Sequence, residues 1–281
     1  VLCTGLGGGL YDPSGRTGCT IVGSTGMHMR LQTDVSAVQL NSERAGFTMV
    51  FPAPNMLAQI HSNMASTLNI DWLLDVGRGL LKEHGIDRSR GDMLKGMDEK
   101  LLARAPAAVL FHPYISKAGE RGPFMETSAR AMFNGLDTGT DYFGMMRAVF
   151  EGLGLASRDC YSAMGAIPSE VRITGGAARS GALRSILASI LNARIRSVAR
   201  EEAGAAGAAM TAAVQQKIYP DMTACTNAWV EPHLTAITEP EGGWLKAYDA
   251  AFEAYLAARK AMRPVWRGIG KARQLGAGVL S

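Results

Sequence analysis

Cysteine is scarce and unpatterned: there are four in 281 residues, at Cys3, Cys19, Cys160 and Cys225, and no two have CxxC spacing. That density excludes a disulfide scaffold. Each reads as a small apolar core residue of a chain kept in a reducing cytoplasm. The five histidines form no HExxH or similar pair, so no metal ligand is assigned. No apolar run of about eighteen residues occurs, and no helical membrane span is expected. The opening VLCTGLGGGLYD lacks the basic segment and apolar block of a signal peptide. Internal repeats and low-complexity linkers are missing as well.

What is there is globular: 47% hydrophobic and 19% charged residues suit a chain that buries a core. Net charge is +4, and a basic run lies near the end at Arg259, Lys260, Arg263, Arg267, Lys271 and Arg273. A nucleic-acid surface would want aromatics interleaved on one face. The run reads instead as a solvated helix face and tail, so no nucleic-acid partner is expected.

The pattern along the chain is hairpins first, then alternating strands and helices. Residues 1–10 read as extended and glycine-rich. Tyr11 to Gly15 is turn chemistry, 19–22 is a strand, Gly23-Ser24-Thr25-Gly26 is a tight turn, and 27–31 is a second strand. From 55 to 83 apolar residues recur at helical spacing (Met56, Ile60, Met64, Leu68, Trp72, Leu73). A short strand at 107–111 leads into a loop at 112–124. Residues 142–163 form a long helix with Phe143, Met146, Phe150 and Leu153 on one stripe. A strand at 171–174, a helix from about Ser180, a strand at 195–198 and an alanine-rich helix at 204–216 follow. A last amphipathic helix spans 244–262. Such a series describes an α/β fold, a mixed sheet with helices on its faces.

Three glycine-centred turns could carry chemistry. Gly5-Leu6-Gly7-Gly8-Gly9 is a bend or a close backbone approach. Gly23-Ser24-Thr25-Gly26 is an ordinary hairpin or a phosphate cradle, since its N–H groups and two hydroxyls can converge on an anion. Gly175-Gly176-Ala177-Ala178-Arg179-Ser180 joins a strand to a helix. Without side chains at 175 and 176 a flat ligand can lie against the backbone, and Ser180 is placed to cap the helix. That turn is neither GxGxxG nor GxxxxGK[ST], which argues against dinucleotide-binding and P-loop folds. Glu201 and Glu202 do stand near the distance at which a dinucleotide fold places its acid, about twenty residues on.

Four passages in order carry a resemblance. They are the loop His112-Pro113-Tyr114 to Gly119-Glu120-Arg121-Gly122-Pro123-Phe124; the helix Arg147-Ala148-Val149-Phe150-Glu151-Gly152 with Arg158-Asp159; the stretch 171–183; and Glu202-Ala203-Gly204-Ala205-Ala206-Gly207-Ala208-Ala209. Together, over about residues 1–216, they resemble the FGGY carbohydrate kinases. The resemblance implies an actin-like ATPase (ribonuclease H-like) domain with a helical insertion at about 55–105. It divides the chain into a C-terminal nucleotide-binding domain, 1–220, and a helical extension, 221–281. The family's N-terminal sugar-binding domain and its D-x-G-T turn are not found here.

By the same resemblance Ser24, Thr25 and Gly26 hold the β- and γ-phosphates of ATP. Gly175, Gly176 and Ala177 wall the adenine, and Ser180 stands near the base. Asp71 falls near the nucleotide. Mg²⁺ is the implied companion of ATP. The implied reaction moves the γ-phosphoryl group in line to a polyol or sugar hydroxyl whose proton goes to an aspartate. Counted back from Gly7, that aspartate is expected just before Val1, and Asp12 cannot replace it. The opening looks closest to polyol kinases of the erythritol type, with glycerol and ketopentoses open as acceptors. A cytoplasmic enzyme is implied, with a homodimer left open, and inactive as this piece alone. The competing reading is a non-catalytic actin-like module acting through a partner. Arg121 is expected to be partly buried and to cross-link its loop.

Overall fold

The computed structural model describes residues 1–277. Its strands are β1 (Thr17–Val22), β2 (Gly26–Gln32), β3 (Phe47–Val50), β4 (Leu57–Asn63), β5 (Leu110–His112), β6 (Met132–Asn134), β7 (Glu170–Thr174) and β8 (Arg194–Ser197). Six of them form one sheet in the order β3-β4-β2-β1-β7-β8, while β5 and β6 pair separately. β2 runs antiparallel to β1 and β4, and β3 runs antiparallel to β4. β7 is parallel to β1, and β8 is parallel to β7. The expected mixed α/β sheet is therefore present.

The helices are α1 (Leu2–Gly7), α2 (Thr67–Glu83), α3 (Arg90–Leu94), α4 (Met97–Leu102), α5 (Tyr142–Ala163), α6 (Gly181–Leu191), α7 (Ala203–Gln215), α8 (Met222–Trp229) and α9 (Leu245–Ala277). Alternation along the strands sends side chains to two cores. Met29, Leu31 and Ile60 join Leu6 and Met210 on the α1–α7 side. Val171 and Ile173 join Leu74, Val149, Leu183 and Ile186 on the α2–α5–α6 side. α5 starts where Asp141 Oδ1 accepts the Gly144 N–H at 2.7 Å. It is buried nearly all round from Met146 to Ser157, wider than the single stripe its spacing implied.

Three expectations need correcting. Residues 1–10 are not extended: α1 occupies most of them. The glycines there serve a helix crossing, because a Cβ on Gly7 would lie 1.9 Å from the Ala203 carbonyl oxygen, and one on Gly207 1.8 Å from that of Cys3. The helical reading of 55–83 is half wrong, since 57–63 is β4 and the helix begins at Thr67. Met56, Ile60 and Met64 are spaced by four, a multiple of two as well, so the same spacing fits one face of a strand. Of the stretch expected to be helical, 57–63 thus belongs to the sheet and the helix starts at Thr67.

The basic run is the third correction. Arg259, Arg263 and Arg267 recur every fourth residue on α9 and reach Asp159, Glu43 and Glu126 respectively. Arg259 and Arg263 also stand over the Phe124 ring, at 4.8 and 5.3 Å. Arg259 and Arg263 thus clamp α9 to the core, while Lys260, Arg267, Lys271 and Arg273 are exposed as expected. α9 extends beyond the expected 262 to Ala277, and residues 278–281 of the extension lie outside the described residues. No helix among the described residues is long and apolar enough to cross a membrane.

Candidate functional site

β1 and β7 lie side by side and parallel, with Ile21 opposite Thr174. The two candidate turns follow directly at their carboxyl ends, the edge where ligands of α/β sheets gather. The first turn is a hairpin in which Val22 pairs with Gly26. Ser24 and Thr25 are exposed, and Gly26 is buried as the first residue of β2. Its carbonyls dock the start of α2: Ser66 N–H donates to Ser24 O at 2.8 Å and Thr67 N–H to Gly23 O at 2.9 Å. The second turn leaves β7 through Gly175, whose φ of +104° and 2.5 Å clearance from Val22 O to a hypothetical Cβ admit only glycine.

A cavity of about 630 Å³ opens between this second turn and the helices α2 and α4. Asp71, Gly176, Ala177 and Ser180 all line it. The structure thus brings together four of the eight residues singled out from the sequence. Gly175 borders a second cavity of about 640 Å³, with Arg200 and Glu201, and Gly176 lines both. Ser24, Thr25 and Gly26 line neither, though Ser24 and Gly23 hydrogen-bond the start of α2, whose Thr67 borders the first. The floor of the first cavity is apolar, from Ile70, Met97 and Phe150. A Cβ placed on Gly176 would meet nothing within 4 Å, so that glycine keeps ligand space open without being needed for packing.

Ser180 does cap α6, accepting the Leu183 N–H at 3.1 Å. Its own proton goes to Asp98 Oδ1 at 2.6 Å, and the Gly181 N–H reaches Asp98 Oδ2 at 2.7 Å. Asp98 was missed in the sequence. It sits in the charged first turn of α4, where acidic residues are ordinary, and nothing local marks the long-range contact. Asp71 is drawn towards Arg90, 3.6 Å away. Asp12 lies by the start of β1, held by Ser14, Arg16 and Thr17. Six residues of strand separate it from the cleft, about 20 Å. Among the described residues no three His, Cys, Asp or Glu side chains group as a metal site.

The motif residues Arg147, Glu151, Asp159 and Glu120 line neither cavity. Arg147 and Glu151 pair at 2.7 Å, both almost fully buried. Arg147 also donates to the Leu101 and Arg104 carbonyls, and Tyr248 donates to Glu151. Burial pushes the Glu151 carboxyl up, against the pull of Arg147. Asp159 is pushed up to about 6 by burial, with Arg259 opposing. In the loop, the expectation for Arg121 is overturned, because Arg121 is exposed. Glu120 is the buried partner, 1% exposed, and its Oε1 accepts N–H groups of Met64, Arg121 and Gly122. Extended backbone turns adjacent side chains to opposite sides, so one of the pair had to face out.

A mixed sheet whose parallel strand ends carry two glycine turns facing a cleft is the actin-like ATPase fold. Solved sugar kinases share it: a xyloylose kinase from Brucella ovis superposes with a TM-score of 0.76 at 25% identity, covering 94% of this chain and 51% of that one. Residues 18–216 match the model of the C-terminal domain of the FGGY family of carbohydrate kinases, and the chain belongs to that family. It is similar to an erythritol kinase of Brucella abortus, 48% identical over 94% of this chain and 50% of that protein. A xylulose kinase of Staphylococcus xylosus is 25% identical over 90% of this chain and 49% of that protein. The chain spans about half the length of the curated relatives it matches.

Proposed function

We propose that this chain is the nucleotide-binding domain of a kinase that moves the γ-phosphoryl group of ATP to a hydroxyl of a small polyol or sugar. The observation that carries the reading is the glycine-walled, apolar-floored cavity at the carboxyl ends of the parallel strands, in a chain of the FGGY family. Erythritol is the favoured acceptor, because the relative at 48% identity is an erythritol kinase; glycerol and ketopentoses come after it. The matches are kinases, which disfavours the non-catalytic module. The domain division at about residue 220, the cytoplasmic location and a homodimer belong to the same proposal. The four cysteines, none in a disulfide, are consistent with a reducing compartment.

In this reading the base enters between the Gly176–Ala177 backbone and the Ile70–Met97 side, and its plane replaces water on apolar surface. The phosphates extend towards Ser24, Thr25 and Gly26, where the exposed Ser24 and Thr25 hydroxyls can donate to them. ATP supplies the transferable phosphoryl group. The residues described here do not fit a Mg²⁺ site of their own, so the ion would reach the cleft on the nucleotide's phosphates. Gly176→Leu is the test. Its Cβ meets open space and its φ is unstrained, so the variant should melt as the parent does. ADP affinity by calorimetry should fall by about tenfold or more, since the branched side chain takes the volume of the base. A folded variant with unchanged affinity contradicts the placement.

A further inference from the structure

Ser180 and Asp98 meet in the lining of the cavity at the start of α6, and the hydrogen bonds there leave the two unequally able to meet a ligand. Ser180 has a single hydroxyl proton, and it is given to Asp98 Oδ1 at 2.6 Å. Its oxygen accepts from Leu183 N–H. Ser180 therefore has no donor left for a ligand. Asp98 is fixed from two directions, by Ser180 and by the Gly181 N–H at 2.7 Å. A carboxylate offers about four lone-pair sites, so about half remain to receive hydrogen bonds from the cavity. The other acids of the lining are differently placed. Asp71 lies 3.6 Å from the Arg90 guanidinium, and Glu99 is exposed. Arg179, the cation of the lining, is turned to Glu201 at 3.1 Å.

We infer that Asp98 is the specificity-determining residue of this cleft, accepting the exocyclic amine of a 6-aminopurine and rejecting a 6-oxopurine. The inference rests on the nucleotide reading above and extends it from the wall of the pocket to the identity of the base. An amine placed against Asp98 forms a charge-assisted hydrogen bond. A carbonyl in the same place sets acceptor against acceptor, leaving both desolvated without a partner. Sites built to hydrogen-bond one group discriminate strongly against the analogue that lacks it. The same two bonds that cap α6 hold the carboxylate in position, so orientation costs nothing further when the base arrives.

The experiment is calorimetric titration of the chain with ADP and with IDP, which differs from ADP in carrying a 6-oxo group. The wild type should prefer ADP by about tenfold or more. Asp98→Asn keeps the shape and one acceptor, and its amide can turn an N–H towards a carbonyl. The variant should bind ADP about fivefold or more weaker and bring the two nucleotides to within about threefold of each other. Wild type binding IDP as tightly as ADP overturns the inference without any variant. So does a variant that keeps the parental preference, or one that loses both nucleotides in equal proportion. If the wild type binds neither, the nucleotide cleft itself is wrong, and the inference falls with it. The preference lost in Asp98→Asn but kept in Gly79→Ala, an exposed position on α2, separates base reading from a general effect on the fold.

Discussion

Glu120 shows how a single side chain can carry a pH signature. Burial raises its carboxyl from 4.5 to about 7, against three N–H donors that favour the charged form. Its second oxygen, Oε2, has no hydrogen-bond partner among the described residues. The folded chain therefore holds this proton more tightly than the unfolded chain does. Its stabilising contribution is fully present below about pH 4.5 and is lost as pH rises to about 7, by up to about 3 kcal/mol. Glu120→Gln removes the charge that causes the loss. The melting temperature of the variant relative to wild type should rise by several degrees between pH 5 and pH 8. A difference that stays constant across that range contradicts the buried, uphill ionisation. Which of Glu120 and Arg121 would be inside was not legible from two adjacent charges, because strand phase decides it and phase comes from the paired Glu126. Ser180 as a cap was legible, since N-cap chemistry is local. Asp98 was not, because its partner is 82 residues away in the sequence.

At the scale of elements, glycines of identical sequence appearance have opposite tasks. Gly207 stands where α7 crosses α1, and any Cβ there would overlap the Cys3 carbonyl. Gly79 is exposed on α2 with nothing within 4 Å of a hypothetical Cβ. Gly207→Ala should therefore cost about 1–3 kcal/mol by forcing the helices apart. Gly79→Ala should instead stabilise the protein, by up to about 1 kcal/mol, through helix propensity alone. Chemical denaturation of both variants checks the pair, and the same sign for both would contradict the crossing. The elements with strong period, α5 and β1, were legible at nearly their true bounds. β4 was hidden by a spacing that suits strand and helix alike, and α1 by glycines whose purpose is contact with a helix some two hundred residues later.

Over the whole molecule, the family-matched region from 18 to 216 is bracketed by two helices that pack on it. α1 lies across α7. α9 crosses the opposite core, where Trp266, 1% exposed, stacks on Phe124 with an interplanar angle of 12°. Tyr255 stacks on His112 at 4.2 Å. The arginines of α9 add Asp159, Glu43 and Glu126 from three separate segments. The Arg259 and Arg263 pairs, partly buried and with the Phe124 ring beneath the guanidinium, exceed exposed salt bridges in worth. The two helices thus pack on opposite cores of the sheet. Fold class was legible because it depends on the order of periodic segments. The clamp was not, because its carboxylates come from parts of the chain that only the fold brings together.

The most direct measurement is a crystal structure of the chain with ADP bound. The base is expected against Gly176 and Ala177, over Ile70 and Met97, with the phosphates directed at Ser24, Thr25 and Gly26. Nucleotide seated instead in the second cavity, beside Arg200 and Glu201, would contradict the central claim.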